Sequence, residues 1–399
     1  MNFFLEKNIS LTWLSVVKIL VGGLLFFIFF NNCRIVTDPD LGWHIRTGQL
    51  IIENKSVPHY DEFSFTMPGH AWVDHEWLVN TFLAASYKQP IWIVVATMFS
   101  VIAFVPFFYW IVKARHELQL IPILLAGFIF SQFVAVRPQM ISFALFFTIF
   151  ILIFKIRNGN GSLLSGKYKF ILPFIFFAWA NLHAGFFSGI ILVFAYILAK
   201  FIHSKIGSYS YVHLPQDISC LSLCLLATLI NPYGLKIYQE VFLASTSFLT
   251  VTYIQEWQPI FTHVGLNLFI FNLFLALFLL SLFALFKKLD PVLLMVSLLF
   301  LVLGIKSSRL IQFFIVVALP TIFFGIDAFL EQIKSQTFFK KKQIIIIRIF
   351  VLLIFLGVFY FKLIEPISGI NYSSKSVDFL ESHIWNNKQI NIFNDYVWG

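Results

Sequence analysis

Charged residues are scarce in this chain. Asp, Glu, Lys and Arg make up 12% of its 399 residues, whereas 59% are hydrophobic and the mean hydropathy is +0.86. A water-soluble domain cannot hide that much apolar surface, so the composition predicts an all-α polytopic membrane protein embedded in a lipid bilayer. Lys and Arg in cytoplasmic loops account for the formal net charge of +9, and we therefore expect no nucleic-acid partner.

Cysteine is also scarce, with Cys33, Cys220 and Cys224 as its three representatives. So few cysteines provide neither a disulfide framework nor a metal-ligand pattern. Cys220 and Cys224 lie four residues apart on one helix face, where we expect them to be buried. No small-residue cleavage site follows the first apolar run, which is therefore interpreted as an uncleaved span.

Apolar runs near the ~20-residue length that a bilayer requires predict about eleven transmembrane helices. The predicted spans are 11–30, 90–112, 119–136, 139–155, 169–181, 184–203, 217–231, 265–286, 290–305, 309–330 and 343–363. The breaks between neighbouring spans are placed near Pro138, His183 and Ser307. A shorter apolar stretch, 76–87, is interpreted as an amphipathic helix in the membrane interface.

The loops between these spans separate by charge. One set is short and rich in Lys and Arg, and it is predicted to be cytoplasmic together with the N-terminus: 113–115, 155–169, 200–217, 287–288 and 331–342. The other set then faces outward and includes a long first loop, 31–77, and a second long loop, 231–264. Residues 1–363 form the predicted membrane domain. The segment 364–399 is expected to be the start of an outer segment that continues beyond Gly399.

The first outer loop concentrates acidic and imidazole side chains. Asp38 and Asp40 directly follow the first span. An extended backbone would place both carboxylates on one side, where they could flank a reacting group or hold a divalent cation, Mg or Mn. His44 follows them, and Asp74-His75-Glu76 ends the loop. A solvated loop with an aromatic belt is an equally good interpretation from composition alone.

Five further residues of interest fall in other predicted outer loops or at their edges. Arg137 and Arg309 lie near the outer ends of spans, where Arg either grips phosphate or snorkels to lipid headgroups. Asn181 and His183 occupy a tight turn between spans, and Glu256 lies in the second long loop. Helix capping is the simplest explanation of the turn with Asn181 and His183 and of the loop motif with Glu256, each taken singly.

Taken together, these motifs resemble those of a family. The matching segments are Asp38-Pro39-Asp40-Leu41-Gly42-Trp43-His44, Gly48, Pro58-His59-Tyr60-Asp61-Glu62-Phe63-Ser64, Trp72-Val73-Asp74-His75-Glu76-Trp77-Leu78, Arg137-Pro138-Gln139, Asn181-Leu182-His183-Ala184-Gly185, Asn231-Pro232-Tyr233-Gly234 and Asn394-Asp395-Tyr396-Val397-Trp398-Gly399. The chain resembles the GT-C superfamily of membrane glycosyltransferases, which includes protein mannosyltransferases, aminoarabinose transferases and oligosaccharyltransferases. It is most similar to the mannosyltransferase-like integral membrane proteins of bacteria.

The resemblance implies an enzyme of the bacterial cytoplasmic (inner) membrane that acts at the outer face. Such an enzyme transfers a hexosyl or pentosyl group, with inversion, from a polyprenyl-phosphate donor to a glycan, lipid or protein acceptor. By position, the general base is Asp40 or, as the second choice, Asp38. The implied substrate-binding residues are His44, Asp74, His75, Glu76, Arg137, Asn181, His183, Glu256 and Arg309. The resemblance leaves open whether a metal takes part.

Two other function classes compete with this interpretation. A transporter or flippase of a lipid-linked saccharide would also have many spans and Arg residues at their ends, but such proteins usually carry mid-span ionisable residues and internal repeats. Neither feature is evident in this sequence. A non-catalytic envelope assembly protein would leave Asp38, Asp40 and His75 apart and facing solvent.

Overall fold

The computed structural model of the chain describes residues 2–35, 38–88, 90–159, 161–206, 211–262, 266–286 and 288–334. The predicted span 343–363 and the predicted outer segment 364–399 lie outside these residues. Within the described ranges the chain folds into α-helices, short 3-10 turns and one isolated antiparallel bridge between Tyr60 and Ala71.

The helices are numbered in chain order. They are α1 (Asn2–Arg34), α2 (Leu41–Asn54), α3 (Trp77–Ser86), α4 (Ile91–Lys113), α5 (Leu120–Ser131), α6 (Gln139–Asn158), α7 (Tyr168–Leu182), α8 (Phe186–Ile206), α9 (Leu214–Thr228), α10 (Lys236–Thr246), α11 (Phe248–Tyr253), α12 (Leu266–Ala284), α13 (Pro291–Lys306) and α14 (Ile311–Lys334). Short 3-10 turns occupy Glu117–Gln119, Gln255–Trp257, Ile260–Thr262 and Ser308–Leu310.

Six helices of the described chain are long and apolar enough to cross a membrane, by length and composition: α1, α4, α6, α8, α12 and α14. Four shorter apolar helices, α5, α7, α9 and α13, coincide with further predicted spans. The all-helical membrane architecture is therefore confirmed, and the number of eleven spans stays a prediction. The predicted breaks are confirmed, since α6 begins after Pro138, α7 ends before His183 and α13 ends before Ser307.

The bundle is built around α5, where every residue from Pro122 to Ser131 is buried. Around it pack α1, α4, α12 and α14. Cys220 and Cys224 are fully buried on α9, as predicted. Ion pairs between Arg157 and Asp290 and between Lys200 and Asp217 join the helix ends at the predicted cytoplasmic side.

The long first loop contains more structure than the sequence analysis predicted. The predicted amphipathic stretch 76–87 is α3, but α2 was not foreseen. A pattern that indicates α2 is present, because Leu41, His44, Thr47, Gly48 and Ile51 recur at helical spacing and are buried. That buried face packs against α3.

Gly48 sets how closely α2 and α3 approach each other. A Cβ atom at this position would collide with the backbone carbonyl of Asn80 and lie 2.7 Å from Cβ of Ala84. Only glycine fits this contact without moving the backbone of α3. The contact holds the end of the first loop, with Asp74 and Glu76, beside the start of α2.

Candidate functional site

Most of the predicted site residues converge on one cavity. Its volume is about 1190 Å³. Ten of the eleven residues singled out from the sequence line it: Asp38, Asp40, His44, Asp74, His75, Glu76, Arg137, His183, Glu256 and Arg309. They come from both long outer loops and from the turns between α5 and α6, α7 and α8, and α13 and α14. The cavity extends along α1 as far as Leu24 and Phe27, and thus into the apolar part of that helix.

Asn181 is the predicted site residue that does not line this cavity. Its side-chain oxygen accepts a hydrogen bond from Trp77 Nε1 at 3.2 Å. Its amide nitrogen donates to the carbonyl oxygens of Phe177 and Ile230 at 2.9 and 2.8 Å. These bonds tie α3, α7 and the end of α9 together, so Asn181 acts in packing behind the cavity wall.

Asp38 and Asp40 lie on a turn, so the extended arrangement that would place both carboxylates on one side is not the one adopted. Asp40 has helical dihedral angles, φ −80° and ψ −8°, and precedes α2. The reason is local hydrogen bonding, since Asp38 Oδ1 accepts the backbone N–H of Asp40 at 3.2 Å and the Asp38 carbonyl accepts that of Leu41 at 3.3 Å. The two carboxylates therefore have different surroundings.

Asp38 is the more buried of the pair, with 3% of its surface exposed. Its Oδ2 atom lies 3.4 Å from Arg137 Nε. Asp40 makes no side-chain bond to its own helix. Burial and the nearby charge of Asp38 raise the pKa of Asp40, against the opposing effects of His44 and Arg137. A carboxylate with a raised pKa is a better proton acceptor than an ordinary surface carboxylate.

Glu76 is surrounded by three imidazole rings. Its carboxylate oxygens lie 3.4 Å from His44 Nδ1, 3.6 Å from His75 Nε2 and 3.2 Å from His183 Nε2. Burial alone would raise the pKa of Glu76, but the charge of His44 and the close contacts with the other two rings hold it well below its ordinary value. Glu76 is therefore an ionised carboxylate in the cavity wall.

The pKa values of His75 and His183, two of the rings around Glu76, shift in opposite directions. Burial lowers the pKa of His75, but the hydrogen bond and negative charge of Glu76 outweigh it, and the net shift is upward. For His183, burial outweighs the contact with Glu76, and the charges of Arg309 and His75 act in the same direction as burial. The pKa of His183 falls to about 4. At neutral pH His183 is therefore a neutral ring.

Hydrogen bonds on the side of the ring opposite Glu76 determine which nitrogen of His183 carries the proton. The backbone N–H of Gly185 donates to His183 Nδ1 at 2.9 Å, and the Ser142 hydroxyl lies 2.6 Å from the same atom. Trp179 Nε1 donates to the Ser142 oxygen at 2.6 Å, which leaves the Ser142 proton free to point at the ring. Nδ1 is thus an acceptor, and Nε2–H faces Glu76.

Two hydrogen bonds made by Asn80 orient His44. Asn80 Nδ2 donates to Asp74 Oδ1 at 2.9 Å, so the Asn80 oxygen is left to accept from His44 Nδ1 at 2.8 Å. Burial, together with the charge of Glu76, raises the pKa of Asp74 to about 6. Sequence analysis does not identify Ser142 or Asn80, because the site residues that they orient, His183 and His44, lie 41 and 36 residues away along the chain.

Arg137, Glu256 and Arg309 form a charged chain on another part of the wall. Arg137 Nη1 donates to Glu256 Oε1 at 2.8 Å, and Arg309 Nη1 lies 3.8 Å from Glu256 Oε2. The guanidinium of Arg309 stacks over the Trp257 ring at 5.3 Å. Burial by itself would raise the pKa of Glu256, but the two arginines lower it.

The turn between α13 and α14 holds the Glu256 segment in place. Ser308 donates its backbone N–H to the Gln258 carbonyl and its hydroxyl to the Glu256 carbonyl, each at 2.9 Å. Glu256 is therefore presented by backbone contacts, and its side chain stays available to the two arginines.

Metal binding has limited support in this geometry. The part of the chain that the structure describes contains no group of three or more His, Cys, Asp or Glu side chains able to hold a metal ion. Asp38 and Asp40 would supply two carboxylates, with water and a substrate phosphate completing an Mg²⁺ shell. Asp38 already has Arg137 as a cationic neighbour. Mg or Mn at this pair stays a prediction.

Comparison with known proteins gives no assignment: no protein-family model and no curated protein matches this sequence. The functional argument therefore depends on the residues of the cavity and on their geometry.

Proposed function

We propose that this protein is a membrane glycosyltransferase that moves a sugar from a polyprenyl-phosphate donor to an acceptor hydroxyl at the outer face of a bacterial cytoplasmic membrane. The observation that supports this most is the cavity itself. It combines a carboxylate with a raised pKa, two arginines and an apolar extension along α1. A base, a phosphate-binding pair and a groove for an isoprenoid chain are what such a reaction requires.

In the proposed reaction, the acceptor oxygen attacks the anomeric carbon of the sugar. The bond between that carbon and the phosphate oxygen breaks, and prenyl phosphate leaves with the bonding electrons. Asp40 takes the proton of the acceptor hydroxyl. The anomeric carbon is inverted because the acceptor displaces the phosphate from the opposite face in a single step. Arg137 and Arg309 stabilise the negative charge that develops on the phosphate.

The different surroundings of the two aspartates favour Asp40 as the base. Asp38 is almost fully buried and lies beside Arg137, which suits a positioning role for that guanidinium. Glu76, held ionised by its imidazole neighbours, is a poor proton acceptor and suits binding of sugar hydroxyls instead.

The alternatives lead to different expectations. A non-catalytic assembly protein would have Asp38, Asp40 and His75 apart and in solvent, whereas all three line the cavity. A flippase would move the lipid-linked sugar without breaking the bond between sugar and phosphate.

The decisive test is chemical. Membranes containing the full chain are incubated with a panel of polyprenyl-phosphate sugars and an extract of cell-envelope acceptors, and release of prenyl phosphate is followed. We expect release in wild type and its loss in Asp40→Asn, with insertion unchanged. Translocation of intact donor without any release would favour the flippase, and full activity of both Asp40→Asn and Asp38→Asn would exclude the assigned base.

A further inference from the structure

Gln139 is a buried residue of the cavity wall whose amide is unpaired among the residues that the structure describes. It is the first residue of α6, lines the cavity and is 2% exposed. Among the residues that the structure describes, neither Nε2 nor Oε1 of Gln139 has a hydrogen-bond partner. A buried amide in this state is costly, because it has lost its water without gaining a partner.

A second buried glutamine shows how the same fold satisfies such a group where its role is structural. Gln119 is 1% exposed. Its Nε2 donates to Asp327 Oδ1 at 2.8 Å, and its Oε1 accepts the backbone N–H of Arg115 at 2.6 Å. Gln119 does not line the cavity. Gln312, also buried and away from the cavity, pairs its Nε2 with the Arg309 carbonyl and leaves only Oε1 without a partner in the described chain. Gln139 differs from both glutamines, because it lines the cavity and leaves both amide atoms unpaired, and this combination suits a ligand contact.

The unpaired atoms of the cavity wall indicate the chemistry of that ligand. Gln139 offers one donor group and one acceptor. Asp74 Oδ2, and Asp38 Oδ2 apart from its ion-pair contact with Arg137, are buried acceptors without hydrogen bonds within the described residues. His75 Nδ1 and His183 Nε2 also line the cavity without hydrogen bonds there, and Nε2 of His183 faces Glu76. A phosphate has only acceptors to offer at neutral pH and cannot satisfy these oxygens. Hydroxyl groups both donate and accept, so a sugar satisfies the whole set.

The cavity wall thus offers two kinds of hydrogen-bonding group. Arg137 and Arg309 carry only donors, which suit a phosphate. Gln139, Asp38 and Asp74 carry acceptors, which suit a polyhydroxyl group, and Asp38 lies beside Arg137, so the two kinds of group are neighbours in the same cavity. Gln139 is neutral, whereas Asp38 and Asp74 are carboxyl groups. Its amide can therefore recognise the position of a sugar hydroxyl through one donor and one acceptor without adding charge to the cavity.

We propose that Gln139 is a specificity-determining residue whose amide binds a hydroxyl of the sugar carried by the lipid-phosphate donor. This inference rests on the proposed function and adds the residue that recognises the transferred sugar. A site built to hydrogen-bond a hydroxyl rejects an analogue that lacks it far more strongly than an apolar pocket rejects a change in size.

The test uses the purified full chain and defined probes: geranyl phosphate, and geranyl phosphate linked to glucose, galactose, mannose or arabinose. The thermal unfolding midpoint is measured with each. In wild type we expect a sugar-carrying probe to raise the midpoint more than geranyl phosphate alone. In Gln139→Leu we expect the sugar-dependent increase in the unfolding midpoint to be lost, whereas geranyl phosphate alone still raises the midpoint. The KM for the donor should rise about tenfold or more.

The matched control is Gln119→Leu, which removes an amide that has partners. It should lower the midpoint of the unliganded protein and keep the sugar-dependent increment, whereas Gln139→Leu should not lower the unliganded midpoint. If Gln139→Leu does not fold, Gln139→Met gives the same readout with an unbranched side chain.

An unchanged sugar-dependent increment in the Gln139 variants would overturn the inference and leave the proposed function standing. If no sugar-carrying probe binds wild type better than geranyl phosphate and none is turned over, the proposed function fails and this inference fails with it.

Discussion

His183 Nε2 lies 3.2 Å from Glu76 Oε1, and the opposite nitrogen of the ring accepts from Gly185 and faces the Ser142 hydroxyl. The ring is therefore held in one tautomer by the helix bundle, with its N–H directed at a carboxylate in the cavity wall. The contact connects buried side chains of α6 and α7 to the Glu76 carboxylate in the cavity wall. Replacing one of those buried side chains should therefore change the activity of the site.

Ser142→Ala tests that connection. The variant removes the acceptor of Trp179 Nε1 and one neighbour of His183 Nδ1, so we expect a loss of about 1–3 kcal/mol of stability from the unpaired indole N–H. Donor turnover should fall because the His183 tautomer is less firmly held. Thermal unfolding and prenyl-phosphate release measure the two effects.

Ser297→Ala is the control for the Ser142 experiment. Ser297 is also buried in the bundle, where its hydroxyl donates to the Val317 carbonyl at 3.1 Å, and it does not line the cavity. The Ser297→Ala variant should be less stable than wild type, but the folded protein should keep its turnover. Equal turnover in the two variants, at equal stability, would contradict the role given to Ser142.

Asp74 provides a prediction about pH and stability. Its pKa is raised from 3.8 to about 6, so the folded protein holds more protons than the unfolded chain between these values. The contribution of Asp74 is therefore fully present below about pH 4 and is lost as the pH rises through 6. Asp74→Asn should be more stable than wild type above pH 6, by on the order of 1–3 kcal/mol, and the difference should disappear near pH 4.

Thermal or denaturant unfolding of wild type and Asp74→Asn across pH 4 to 8 gives this comparison. Asp61→Asn is a suitable control, because hydrogen bonds lower the pKa of Asp61 although burial opposes them, and its effect on stability should have the opposite sign. A pH-independent difference between wild type and Asp74→Asn would show that the raised pKa of Asp74 is not the cause.

The sequence predicts the components of this site better than their geometry. Composition and apolar run length are sufficient for the helical membrane fold, and the polar motifs identify ten residues that meet in one cavity. Local pattern left open whether Asp38 and Asp40 are extended or form a turn, and it could not reveal that Arg137 from a distant loop lies beside the Asp38 carboxylate. Ser142 is a single hydroxyl in an apolar helix, and only the packing of α6 against α7 gives it a role.

The base assignment predicts a distinctive pH profile. Because burial and Asp38 raise the pKa of Asp40, kcat/KM should fall on the acid side with an apparent pKa above 3.8, the ordinary value of an aspartate. Asp38→Asn removes a neighbouring negative charge and should shift this acid limb to lower pH. Any residual activity of Asp40→Asn should not show this fall of kcat/KM at acid pH. If the fall persists in that variant, the titrating group is not Asp40.

Gly48 tests whether the junction of α2 and α3 holds the site together. In Gly48→Ala the new methyl group would collide with the Asn80 carbonyl, so α3 must move. Since Asn80 orients His44 and contacts Asp74, we expect turnover to fall together with a loss of stability of about 1–3 kcal/mol, as for an overpacked core. Gly42→Ala is the matched control on the same helix, because a Cβ there meets nothing within 4 Å, and it should be neutral or slightly stabilising. If both variants behave alike, the close contact at Gly48 does not position the site.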